Sequence, residues 1–141
     1  MPIENTKLTD LPVRSLHEHR QVILDKLLDL RLRWEPDLVL LPSWGDIHQD
    51  HQVVAQEGLR AFKDCSVLGY EYPWNHLEFR TTAFIQFEEQ DLEKKIAAVQ
   101  EYKSQRKAYM EPEVIRAWAI TRGVAVKTRY AESFEVIRLV T

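Results

Sequence analysis

The chain has 141 residues, a formal net charge of −3 and interspersed acidic and basic side chains, so it lacks the basic stripe of a nucleic-acid binder. Its single cysteine, Cys65, excludes an internal disulfide framework, and no apolar run reaches the roughly 18 residues of a membrane span. At this length one domain with one core is expected, and the opening Met-Pro-Ile-Glu-Asn-Thr-Lys lacks the basic and apolar regions of a signal peptide, which leads to the expectation of a cytoplasmic protein.

Residues 1–14, with Pro2 and Pro12, read as an extended arm. Ser15 then opens a long helix with the apolar stripe Leu16, Val22, Ile23, Leu27, Leu30 and Trp34; Ser15 and Glu18 are spaced as a capping box and Pro36 stops the helix. Leu38 to Leu41 is short and continuously apolar, as expected of a strand buried on both faces of a parallel sheet. A helix over 48–63 follows, its inward stripe running through His51, Val54, Ala55, Gly58, Leu59 and Phe62. Ser66 to Tyr72 and Thr81 to Phe87 read as strands, separated by the turn-rich Pro73-Trp74-Asn75-His76-Leu77. Glu88 to Tyr102 is helical with Leu92, Ile96 and Val99 inward, a last helix runs from Glu111-Pro112 to Gly123, and Phe134 to Val140 closes the chain as a strand. The order α, β, α, β, β, α, α, β predicts an α/β sandwich.

One stretch concentrates the chemistry. Asp46-Ile47-His48-Gln49-Asp50-His51 places two imidazoles and two carboxylates in six residues, where a strand hands over to a helix. Open α/β sheets bind ligands at that edge. Histidines at i, i+3 in a first helical turn suit a metal, because the neutral ring is the liganding form and the helix N-terminus disfavours the cation. The carboxylates then ligate, or orient the rings from behind. The plainer alternative is a capping box from Asp46 to Gln49, but two histidines and two aspartates exceed what a cap requires. His17 and His19, at i, i+2, point to different faces and read as surface residues, whereas His76 follows a strand end and is a lesser candidate for substrate contact. Cys65 has no basic neighbour to activate it. A metal-dependent phosphoesterase would want a phosphate-cradling glycine-rich loop, for which Gly45 alone is weak support.

These residues, with Pro36-Asp37-Leu38-Val39-Leu40-Leu41-Pro42-Ser43 ahead of them, resemble the second signature of the PIG-L or LmbE-like deacetylase superfamily. Tyr102-Lys103-Ser104-Gln105, Arg122-Gly123 and Tyr130-Ala131-Glu132-Ser133-Phe134 are similar to its later landmarks. The family's first signature, an Ala-His-Pro-Asp-Asp-Glu-like turn, is absent from this sequence. The resemblance implies a Rossmann-like, three-layer α/β sandwich with a mostly parallel sheet, truncated on its N-terminal side. It implies a zinc-dependent N-deacetylase of N-acetylglucosamine-type sugars, with His51 as metal ligand, His48 polarising the acyl oxygen or protonating the leaving amine, and Asp50 tuning His48. Asp46, Trp74 and Asn75 fall at substrate-side positions, although a packed loop tryptophan and a turn asparagine account for the last two equally well. The absent turn would have supplied two Zn2+ ligands and a base. The zinc site is therefore expected to be incomplete in this chain, which would be inactive alone, completed by a partner chain, or kept as a non-catalytic sugar-binding or assembly module. An open sheet edge is also expected, to be covered by a homo-oligomer or by the N-terminal arm. Arg122 and Glu132 are expected to pair above Tyr130 and Phe134.

Overall fold

Helix α1 (Arg20–Trp34) begins later than its stripe suggests: Ser15 donates its hydroxyl to the Pro12 carbonyl instead of forming the expected capping box, and Leu16–His19 wind as a 3-10 turn. The computed structural model describes residues 10–103 and 107–141, so most of the arm, and Ser104 and Gln105, lie outside the described residues. Glu35 ends α1 in the left-handed conformation at φ 43°, its N–H on the Arg31 carbonyl, just before Pro36.

Four strands form the sheet: β1 (Leu38–Pro42), β2 (Ser66–Tyr70), β3 (Ala83–Gln86) and β4 (Ala131–Arg138), in the order β1-β2-β4-β3. Only β1 and β2 pair in parallel; β4 runs antiparallel to both β2 and β3. The sheet is therefore mixed, correcting the mostly parallel expectation. The reason lies in the connection. A single crossover helix returns a chain for a parallel strand, whereas here two helices, α3 (Glu89–Gln100) and α4 (Pro112–Ala125), separate β3 from β4.

Helix α2 (Gln49–Ala61) packs against both α1 and β1. Enclosed from two sides, it buries Val53, Ala55, Glu57, Gly58 and Ala61, a wider face than one apolar stripe. The fully buried Glu57 carboxylate is held by Arg20 Nε and Arg60 Nη1, each at 2.6 Å. A Cβ on Gly58 would lie 2.6 Å from both Leu41 methyls, so glycine lets α2 close onto β1. Leu24, Ala61, Phe62 and Cys65, with Val39 against them, form one core cluster; Leu92, Ile96, Ala119 and Tyr130 form another. The opposite side of β1 is open: Leu38 is 48% and Leu40 50% exposed. The strand is thus buried on one face and, among the described residues, is an edge of the sheet, which corrects the expectation of burial on both faces.

Helix α3 opens with a capping box between Glu88 and Asp91. Helix α4 runs two residues past Gly123, where a Cβ would meet the Thr128 carbonyl oxygen at 2.6 Å; the glycine lets the chain fold back into β4. No described helix is long and apolar enough to cross a membrane.

Candidate functional site

Pro42 pairs with Tyr70, so the loops leaving β1 and β2 emerge side by side at one end of the sheet. They are zipped together: Ile47 N–H bonds the Asn75 carbonyl at 3.1 Å, and Asp46 and His76 form an isolated antiparallel bridge. The His76 ring is engaged on both sides, donating from Nδ1 to the Tyr72 carbonyl at 2.7 Å and accepting at Nε2 from the Ser43 hydroxyl. His76 therefore builds the loop.

Asp46 is the centre of the site. Its side chain is fully buried; Oδ1 accepts the His48 backbone N–H at 2.8 Å and Oδ2 accepts His51 Nδ1–H at 2.6 Å. Neither bond is a capping-box bond, and Gln49 donates instead to the Arg14 carbonyl. With Nδ1 committed to Asp46, neutral His51 presents Nε2 as a lone pair from a side chain that is 31% exposed. His48 is the helix N-cap residue, and its Nδ1 accepts the Asp50 N–H at 3.2 Å. In the neutral ring this leaves His48 an Nε2–H donor. The two rings lie 4.5 Å apart, centroid to centroid, and are tilted by 30°. The arrangement joins one free acceptor to one free donor.

Asp50 sits 7% exposed, with Oδ2 accepting from Arg14 N–H at 2.6 Å and Oδ1 from Leu16 N–H at 3.3 Å. Its carboxylate ties the chain entering α1 to the first turn of α2. Asn75 Nδ2 lies 3.4 Å from His51 Nδ1, and Trp74 is 69% exposed against Tyr109, ring centroids 5.5 Å apart. Tyr72 faces His51 edge-on at 5.7 Å, and its hydroxyl bonds that of Tyr109 at 2.7 Å. Burial, followed by the Tyr109 hydrogen bond, pushes the Tyr72 hydroxyl well above the usual tyrosine range; burial and then the Asp46 charge raise Tyr70. Tyr72 is absent from the sequence-based candidates, yet its place beyond the end of β2, at the sheet edge that holds the imidazoles, is the signal that could have found it.

Among the described residues, no group of three or more His, Cys, Asp or Glu side chains is arranged to hold a metal ion. His51 Nε2 is one metal-competent atom; Asp46, His48 Nδ1 and Asp50 are engaged with other protein groups. This donor set does not fit a self-contained catalytic zinc, which takes about three protein ligands. Further from the imidazoles, Arg122 pairs with Glu71 and Glu132 with Lys95, correcting the expected Arg122–Glu132 pair.

No protein-family model matches the sequence, and no curated protein matches it. Solved structures do match the fold. The 4-carboxy-2-hydroxymuconate hydratase GalB from Pseudomonas putida KT2440 superimposes with a TM-score of 0.71 at 23% identity over 86% of this chain and 60% of its own. The N,N'-diacetylchitobiose deacetylase from Pyrococcus horikoshii gives 0.62 at 19% identity over 94% of this chain and 55% of its own. The conserved protein TT1542 from Thermus thermophilus gives 0.64 at 24% identity over 95% of this chain and 62% of its own. The fold is the LmbE/PIG-L-like α/β fold. The chain spans 55% to 62% of the length of these proteins.

Proposed function

We propose that this chain carries the imidazole half of a deacetylase-type hydrolytic site for the N-acyl group of an N-acetylglucosamine-type sugar, and that residues outside these 141 complete it. The observation that carries the reading is the His48 and His51 pair, with a free Nε2 lone pair beside a free Nε2–H and ring centroids 4.5 Å apart. Amide hydrolysis needs both: a donor for the developing oxyanion or the departing amine, and an acceptor for an electrophile or a water proton. Asp46 positions His51 through its Nδ1, and Asp50 positions His48 through its backbone N–H. Trp74 offers an exposed aromatic face to a sugar ring, and the buried Asn75 holds its amide beside His51, at the inner end of that face. The fold likeness to a diacetylchitobiose deacetylase supports the substrate class. Zn2+, when bound, would supply Lewis-acid activation of water. In this reading His51 is the ligand that these residues contribute, and the remaining ligands come from outside them.

Calorimetric zinc titration at neutral pH of the chain and of His51→Ala, with acetate release from N-acetylglucosamine measured in parallel, tests the proposal. Weak zinc binding that disappears in the variant, with no turnover by the chain alone, is expected. Zinc binding unchanged by the substitution overturns it. The hydratase likeness favours a second reading, in which the same pair assists water addition to a carbon–carbon double bond. Loss of conjugated-alkene absorbance without acetate release would select that reading. Saturable sugar binding with no zinc binding at His51 would select a non-catalytic module.

A further inference from the structure

A cavity of about 370 Å3 opens between α3, α4 and the segment that follows β2, on the far side of Tyr72 from the imidazoles. Its lining is mainly aliphatic and aromatic, with Val99, Val114, Ile115 and Ala119 from the two helices and Tyr109 and Trp118 around them. These walls are held in place by the protein itself. The Glu71 carboxylate accepts from Trp118 Nε1 at 2.9 Å, from Arg122 Nε at 2.9 Å and from Ser133 Oγ at 2.7 Å, which pins the indole and leaves the carboxylate satisfied. The Tyr72 and Tyr109 hydroxyls satisfy one another at 2.7 Å. Lys95 and Glu132 form an ion pair with partly exposed side chains. Every charged group in the lining thus has an opposite charge already beside it.

We propose that this cavity is a binding site for an uncharged aromatic or alkyl group. Its size falls at the lower end of the roughly 300–1,000 Å3 of ligand pockets, whose walls are mostly apolar with a few polar groups. Walls fixed in advance also reduce the ordering cost of binding. A charged ligand group would lose water and find only charges that are already paired, whereas an apolar group loses nothing by entering. Because Tyr72 touches both His51 and the cavity, a molecule with its polar head at the imidazoles would lay its apolar portion along Tyr72 into this space. That continuity rests on the hydrolytic reading above; the cavity itself does not.

The test is a titration of the 15N-labelled chain with straight-chain alcohols from butanol to octanol, following the indole N–H signals of its four tryptophans. The Trp118 signal should shift saturably, and each added methylene should tighten binding about fourfold, the equivalent of ~0.8 kcal/mol per buried CH2. Val114→Trp, from a position 41% exposed on α4, fills the cavity and should abolish the chain-length dependence. Met110→Trp provides a second filling variant if the first melts early. No saturable shift at Trp118, or undiminished binding in a folded filled variant, overturns the proposal. A parallel series of alkyl N-acetylglucosaminides separates the two claims. Alcohols that bind while the sugar head adds no affinity support the cavity and count against the hydrolytic reading.

Discussion

Asp46 does the positioning at the site: one buried carboxylate receives the backbone of His48 and the ring of His51. Asp46→Asn should therefore change the imidazole tautomer as well as the stability. The loss expected is about 2–3 kcal/mol, the upper part of the range for a hydrogen bond to a charged group, measured by urea unfolding. Nitrogen chemical shifts should show the His51 proton leaving Nδ1; an unchanged tautomer would remove Asp46 from its positioning role. The two raised tyrosines give a pH signature. Their folded values lie above the unfolded value of about 10, so their contribution is fully present below that pH and is lost as pH rises through the folded values. Stability should fall in that alkaline interval, and less steeply in Tyr72→Phe. The sequence made the Asp and His cluster legible through its density after an apolar run. Partners were less legible: Arg122 finds Glu71, not Glu132, because a loop beyond β2 brings Glu71 beneath α4, and local spacing carries no record of that approach.

At the level of elements, the two close-packed glycines within helices differ in what an added methyl would strike. At Gly58 it meets the Leu41 side chain, which can shift; at Gly123 it meets the backbone carbonyls of Thr128 and Arg129 at 2.6 and 2.8 Å, which cannot without moving β4. Gly123→Ala should cost about 2–3 kcal/mol, and Gly58→Ala about 1 kcal/mol after its gain in helix propensity is counted. Equal losses in chemical denaturation would contradict that ranking. The order of helices and strands was readable from periodicity and from Pro36 and Pro112. Strand direction was not, because the antiparallel placement of β4 depends on two helices preceding it, a property of the path and not of any strand's residues.

For the whole molecule, the open side of β1 is the feature with the widest reach. A parallel-paired strand with half-exposed Leu38 and Leu40 at a sheet edge is a template for another strand. The chain should self-associate with rising concentration in light scattering, and Leu40→Lys should shift it towards monomer without lowering its thermal midpoint. A parent chain that stays monomeric at high concentration would refute the association. Apolar continuity over Leu38 to Leu41 suggested burial on both faces, but it records what a strand can tolerate on each side and not whether a layer is there to cover it.

Asp50 grips the backbone of Arg14 and Leu16 while its own N–H steadies His48. Tension applied at Arg14 is therefore delivered to the first turn of α2, to the same peg that steadies an imidazole. Affinity handles and surface tethers belong behind Thr141, where the pull is taken by β4 and the ladder it shares with β2 and β3.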